Sequence, residues 1–334
     1  GKRATREDMT TPWVEKYRPK SVDDISHQGE VIESLRCAIE QKNLPHLIFY
    51  GPPGTGKTST ILAAARQLFG TEYRSRVMEL NASDERGIAV VREKIKSFAQ
   101  VAVSASSGPH APPPYKLIVL DEADSMTTDA QSALRRTMET YSKVTRFCII
   151  CNYISRIIPP ISSRCAKFRF KSIPHEAMVQ RLQHIAQQEG VSSSTEVLRE
   201  LTHQSEGDMR RAIQMLQSLH RLYGDELTPS TVLDISGAVP KARVINILEV
   251  CRKGDFNRMQ SIVDELLADG YPVAQLLVQI LDALTSPEMG FTSSQMAAVS
   301  CHLALVDKQL IDGADDYLQL MNLTASCMRE LRAH

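Results

Sequence analysis

No single charge sign dominates this sequence. Lys plus Arg and Asp plus Glu each number 39 in 334 residues, so the formal net charge is zero. That excludes a chain that holds nucleic acid through bulk positive charge and leaves only a local basic face. No apolar run approaches the ~18 residues that a membrane-crossing helix requires, and no membrane partner is expected. Aromatic residues make up only 5%, with one Trp. No basic stretch is interleaved with aromatics, which argues against stacking on single-stranded bases. The seven cysteines are odd in number and scattered, so a disulfide framework is excluded and a reducing compartment is expected. Cys148 and Cys151 form a CxxC, but no second pair completes a zinc site. They lie in the apolar run Phe147–Cys151, where a spacing of three places them on opposite faces of a strand as core residues. No targeting segment, short repeat or long low-complexity tract is visible.

What remains is an ordinary globular composition, 43% hydrophobic and 23% charged. At roughly 100–200 residues per domain the length suits two or three domains. The first half alternates apolar runs with helical periodicity. His46–Tyr50, Val77–Leu80, Lys116–Leu120 and Arg146–Cys151 read as strands. Thr58–Leu68, Ile88–Val103 and Asp129–Tyr141 read as helices. Strands apolar throughout and separated by helices predict an α/β core, a parallel sheet with helices on both faces. Ser104–Tyr115 is rich in Ser, Pro and Gly and reads as a surface loop. From Pro174 onward the strand signals fade. Glu176–Glu189, Ser194–Gln204 and Met209–Tyr223 predict a small helical unit. After Gly237-Ala-Val-Pro240 come Arg243–Cys251, Phe256–Leu267, Val273–Leu284, Ser293–Gln309 and Asp315–Leu331, an all-helical third part. The expected boundaries are 1–172, 173–236 and 237–334.

Gly51-Pro52-Pro53-Gly54-Thr55-Gly56-Lys57-Thr58 fits GxxxxGK[ST] between a strand and a helix. Gly51 and Gly56 let the backbone approach phosphate oxygens, and the loop N–H groups form an anion nest. Lys57 supplies charge to the β- and γ-phosphates, and the Thr58 hydroxyl suits Mg²⁺. Further on, an apolar strand ends in Asp121-Glu122-Ala-Asp124. Asp121 is placed for the metal, and Glu122 for polarising an attacking water. The pairing of the two motifs points to hydrolysis of a nucleoside triphosphate.

Several segments together resemble the clamp loaders of the AAA+ class, most closely small subunits of eukaryotic replication factor C. They are Pro12-Trp-Val-Glu-Lys-Tyr-Arg-Pro19, the phosphate loop continuing into Ser59, Asn81-Ala-Ser-Asp-Glu-Arg-Gly87 and Leu120-Asp-Glu-Ala-Asp-Ser-Met-Thr127. Asp129–Glu139, Phe147–Tyr153, Ser162-Ser-Arg-Cys165 and Glu206-Gly-Asp-Met-Arg-Arg-Ala212 extend the likeness. The resemblance is dense to Ala212 and thinner beyond. It implies an AAA+ core over 1–172, a helical lid over 173–236 and a collar over 237–334.

The resemblance also implies roles. Asn152 is the first sensor, although a strand-end Asn can equally cap a turn. Arg210 is the second sensor, chosen over the adjacent Arg211 by the family pattern alone. Arg164 is an arginine finger for a neighbouring subunit's ATP. Val14, Arg18 and Ser26 match nucleotide-contacting positions, although composition alone describes an exposed N-terminal arm. Arg86, Arg92 and Arg156 match positions that track duplex DNA. By spacing alone the helix carrying Arg92, Lys94 and Lys96 is equally a solvated face diluted by Glu85 and Glu93. A clamp-facing surface is expected around Phe98–Val103, where ordinary helix packing explains the apolar residues as well.

The implied function is an ATPase subunit of a nuclear heteropentamer. With ATP and Mg²⁺ it opens a PCNA-type sliding clamp and loads it on primer–template DNA in replication and repair. The letters Asp-Glu-Ala-Asp also suggest a helicase, which would need a second parallel-sheet domain after Pro174. A non-hydrolysing structural subunit is a further alternative, and it would be expected to lack Lys57 or Glu122.

Overall fold

The computed structural model describes residues 11–25, 28–83, 88–100, 112–224 and 226–332, with the backbone alone at 88–92. The chain divides into two compact units, Gly1–His220 and Arg221–His334.

The first unit is built on five strands: β1 (Leu47–Tyr50), β2 (Val77–Asn81), β3 (Lys116–Asp121), β4 (Thr145–Cys151) and β5 (Ala166–Arg169). All pairs are parallel, in the order β2-β3-β4-β1-β5. β3, β4 and β1 are inner strands, which is why their sequences are apolar throughout. One sheet face presents Leu47, Phe49, Leu117, Val119, Cys148 and Ile150 to Val31 and Leu35 of helix Gly29–Glu40 and to Ile61 and Ala64 of helix Lys57–Phe69. The other presents Ile48, Ile118, Leu120, Phe147, Ile149 and Cys151 to Ile95 of helix Ile88–Gln100 and to Leu134 and Met138 of helix Thr128–Tyr141. Cys148 and Cys151 thus belong to opposite core layers. Burial, with Asp124 adding to it, raises the Cys151 thiol pKa to about 12; these cysteines are inert packing groups at neutral pH.

Beyond Phe170 the first unit is helical: His175–Glu189, Thr195–Gln204 and Met209–Tyr223. β5 is a strand that the apolar pattern did not mark. It is an edge strand, and its alternation of Ala166 and Phe168 with Lys167 and Arg169 leaves one face exposed. The N-terminal arm also differs from the expectation of an exposed segment. Trp13 is 7% exposed, stacks on His220 with centroids 5.8 Å apart, and donates its backbone N–H to Gln217 Oε1 at 3.2 Å.

In the second unit, helix Pro229–Ser236 is followed by helices Lys241–Lys253, Phe256–Ala268, Val273–Thr285, Ser293–Ile311 and Asp316–Leu331, which enclose a core that includes Leu248, Cys251, Leu276, Ile280, Leu320 and Leu323. Asp255, Thr292 and Asp315 each cap the helix that follows. No described helix is long and apolar enough to cross a membrane.

A candidate nucleotide site at the carboxyl edge of the sheet

The strand order sets β4 between β1 and β3, so three strand ends deliver their following residues to one place. The loop after β1 starts at Gly51, whose φ is 142°. A Cβ there would lie 2.2 Å from the Phe170 carbonyl oxygen, so no other residue fits. Gly56 has φ 90° and starts helix Lys57–Phe69, whose first N–H groups and positive dipole end face the loop. Thr55 Oγ1 donates to Pro52 O at 2.9 Å and Thr60 Oγ1 to Gly56 O at 2.8 Å, fixing the curl.

Lys57 Nζ donates to Gly51 O and Pro52 O at 2.8 Å and to Asn152 Oδ1 at 3.0 Å. The contact to Asn152, from the end of β4, brings two sequence-predicted residues together across 95 positions. Burial holds the Lys57 pKa below its ordinary value, opposed by Asp121, Cys151 and Asp124 and assisted by Arg210. Thr58 Oγ1 donates to Asp121 Oδ2 at 2.6 Å. Glu122, next in the chain, has a left-handed backbone with φ 53° and lines the same cleft. Asp124 receives the backbone N–H groups of Asn152 at 3.1 Å and Tyr153 at 3.2 Å, tying the β4 end to the acidic loop. This positioning role for Asp124 was not anticipated; the Asp-Glu-Ala-Asp letters contain it, but not the contact.

The cleft has a volume of about 240 Å³. Val14, Arg18, Pro53, Gly54, Thr55, Gly56, Lys57, Thr58, Ser59, Asp121, Glu122, Asn152 and Arg210 line it, all expected from sequence. Gly51 and Pro52 act on it through their carbonyls. Arg18 Nε donates to Ser59 Oγ at 3.3 Å, joining the arm to the phosphate-loop helix. Ile25, Ile173, Ala177, Met209 and Ile213 add an apolar wall, and Tyr17 and Arg181 its rim; Ile173, Ala177, Arg181, Met209 and Ile213 were not singled out in the sequence as site residues. The arm is held to the helical part by Arg181 donating to Tyr17 O at 2.9 Å, Tyr17 Oη donating to Glu189 at 2.5 Å, and a Lys16–Glu189 ion pair at 2.7 Å.

Two predicted residues lie away from the cleft. Arg164 is exposed, paired with Glu139 at 2.7 Å and donating to Pro160 O at 2.6 Å. Arg156 is exposed with its guanidinium over the Tyr153 ring, 5.3 Å from the centroid. Ser26 and Arg86 lie outside the described residues, as does the Arg92 side chain; residues 101–103 of the expected clamp-facing stretch do too. Among the described residues no cluster of His, Cys, Asp and Glu forms a metal cage.

A parallel sheet in this order, with a phosphate loop after β1, an Asp-Glu pair after β3, an Asn after β4 and a helical segment that closes the cleft, defines a P-loop nucleotide-binding domain of the AAA+ class. The family model for the ATPase family associated with various cellular activities (AAA) matches residues 47–173. An RCF1/5-like AAA+ ATPase lid domain matches 180–221, and the replication factor C C-terminal domain 239–326. Replication factor C subunit 2 of Oryza sativa is 54% identical over 322 residues, covering 96% of this chain and 95% of the relative. Replication factor C subunit 4 of Homo sapiens is 52% identical, covering 96% and 88%. The small subunit of Archaeoglobus fulgidus is 44% identical, covering 92% and 94%. The chain belongs to the replication factor C small-subunit family. The fold likeness reaches further, to a threonine-to-valine variant of Thermotoga maritima RuvB, with TM-score 0.52 at 16% identity over 78% of this chain and 90% of that one.

Proposed function

We propose that this chain is an ATP-hydrolysing subunit of a nuclear sliding-clamp loader, assembled with other replication factor C subunits in a heteropentamer and acting on primer–template DNA. The observation that carries the ATPase part is the convergence of Lys57, Thr58, Asp121, Glu122 and Asn152 at three adjacent strand ends. Family membership supports the loader part.

The phosphate-loop N–H groups and Lys57 bind the triphosphate, with the apolar wall of Ile25, Ile173 and Ile213 against the base. Thr58 and Asp121 offer two hard oxygens 2.6 Å apart. That donor set fits Mg²⁺, which takes few protein ligands and completes its shell with water and phosphate oxygens. Bound there, the ion would neutralise charge on the β- and γ-phosphates. Glu122 orients and polarises the attacking water. The Asn152 amide, held by Lys57, fixes that water or the γ-phosphate, and Arg210 reaches in from the lid. Arg164 serves the site of an adjacent subunit. Arg86, Arg92 and Arg156 contact the DNA backbone and make turnover respond to DNA. The core, lid and collar follow the boundaries 1–172, 173–236 and 237–334.

The deciding experiment is reconstitution with the partner chains. The complex should load a ring-shaped clamp on primed DNA with ATP, and Lys57→Ala in this chain should weaken its nucleotide binding. Directional unwinding without clamp loading would favour a helicase instead. The all-helical described chain after Phe170 speaks against that reading, since no second sheet is present among the described residues.

A further inference from the structure

The turn that begins the last lid helix touches the phosphate loop. Glu206 and Gly207 both adopt left-handed backbone, with φ 53° and 84°, and turn the chain into Asp208. Oδ1 of Asp208 accepts the backbone N–H of Arg210 at 2.8 Å and of Arg211 at 3.1 Å. It therefore caps helix Met209–Tyr223 and fixes the backbone of its first turn. The same oxygen faces Gly54. A Cβ on Gly54 would lie 1.8 Å from Asp208 Oδ1 and 2.9 Å from Asp208 Cα.

An acid beside a loop built for phosphate is electrostatically out of place, because it opposes the anion that the loop attracts. Nucleotide binding alone does not account for it. The two N–H groups it accepts do, since they offset its charge and leave it as a spacer between Gly54 and the first helical turn. Two residues later the chain presents Arg210 to the cleft. A long arginine side chain has many rotamers, so where its backbone begins decides where its guanidinium can reach.

We propose that Asp208 is a positioning residue: through its seat on Gly54 it registers Arg210 against the phosphate loop, so that loop and lid arginine meet the nucleotide as one unit. This rests on the reading of Arg210 as a nucleotide-contacting residue. Loss of the seat leaves the loop able to bind triphosphate but lets the arginine wander, so turnover suffers more than affinity.

The test uses the reconstituted complex, with this chain's site the only one able to hydrolyse. Single-turnover hydrolysis and fluorescent-nucleotide affinity are measured for Asp208→Ala, Asp208→Asn, Asp208→Glu, Arg210→Ala and the Asp208→Ala/Arg210→Ala pair. Asp208→Ala should slow hydrolysis about tenfold or more, the order expected when a catalytic group is displaced by a fraction of an ångström to an ångström, a larger loss than any fall in affinity. Asp208→Asn keeps the capping oxygen and should restore most of the rate. Asp208→Glu adds a methylene against Gly54 and should resemble Ala, which carries the test if the Ala variant is unstable. The double variant should be no slower than Arg210→Ala alone. Asp208→Ala and Asp208→Glu at the wild-type rate, an Asn variant as slow as Ala, or additive losses in the double variant would each overturn the proposal. Full activity of Arg210→Ala would overturn it too, by leaving nothing to position. Failure of the ATPase reading is separate: it shows as no turnover at this site in the unsubstituted complex.

Discussion

Glu122 holds a backbone conformation that side chains other than glycine rarely adopt, φ 53°, at a cost of about 1–3 kcal/mol. The fold accepts the strain where the Asp121 carboxylate receives the Glu122 N–H at 2.9 Å and Ser125 Oγ donates to its carbonyl at 2.7 Å. The return is a second acidic residue lining the cleft, directly after the acid that meets Thr58. Glu122→Gln should leave nucleotide affinity intact and slow single-turnover hydrolysis by about 10²–10⁴-fold, the range of a lost general base. Equal rates for the two proteins in the assembled complex would remove the role. His46 offers a second residue-scale test. Its Nδ1 accepts the Phe147 N–H at 3.1 Å, and burial, assisted by Arg146, lowers its pKa from 6.5 to about 4. A histidine kept neutral in the fold takes up a proton more readily once unfolded. Its contribution is therefore complete above pH 6.5 and is lost as pH falls toward about 4. Urea melts of His46→Gln, which keeps an acceptor but no titration, should show a flatter decline over that window than the parent. Identical slopes would exclude His46 as a source of acid sensitivity.

At the scale of elements, the arm and the last lid helix act as a pair. Trp13 is buried against His220 and Gln217, and the next residues, Val14 and Arg18, line the cleft. Trp13→Ala should cost about 3–5 kcal/mol in a denaturant melt, as for other buried large aromatics. It should also weaken nucleotide affinity, because the arm loses its anchor. A melt unchanged within 1 kcal/mol would mean that Trp13 does not anchor the arm and that the contacts of Lys16, Tyr17 and Arg18 suffice. Of the residues proposed to contact DNA, Arg92 belongs to helix Ile88–Gln100 and Arg86 precedes it in the chain. Reversing Arg86 and Arg92 to Glu should depress DNA-stimulated hydrolysis equally on unrelated DNA sequences and reduce the salt slope of DNA binding by about one to two, since phosphates are the contacts. Stimulation that survives both reversals would place the DNA elsewhere.

The elements readable from sequence were those with a single strong period. The inner strands β1, β3 and β4 are apolar on both faces, and helices such as Met209–Tyr223 show a clean apolar stripe. β5 was missed because an edge strand with alternating Lys167 and Arg169 looks like a loop. The site divided in the same way. Lys57, Thr58 and Asp121 sit in contiguous motifs and could be found there. Tyr17 and Arg181 meet across 164 positions, and no local pattern encodes such a contact. The trans role proposed for Arg164 belongs to neither class; family resemblance alone suggests it.

For the whole molecule, the exposed Arg164 and its Glu139 partner lie off the cleft, so the chain by itself should hydrolyse ATP poorly and Arg164→Ala should barely alter that rate. In the reconstituted complex the same change should suppress turnover at the adjacent subunit by about 10³-fold, as for other arginine fingers. Complexes with one live site decide it. A defect when this chain's own site is live, and none when the neighbour's is, would overturn the trans assignment.

The cleft also draws on three separated stretches of chain. Val14 to Ile25 precede the segment 47–173 that matches the ATPase family model, and Ala177 to Ile213 follow it. Grafting that segment between relatives would therefore move Lys57, Thr58, Asp121, Glu122 and Asn152 and leave behind Arg210 and most of the apolar wall. Nucleotide preference in such chimeras should then follow the flanking stretches, while turnover should depend on both the graft and its host. Two relatives can thus differ in how tightly they hold nucleotide while keeping the same phosphate loop and Asp-Glu pair.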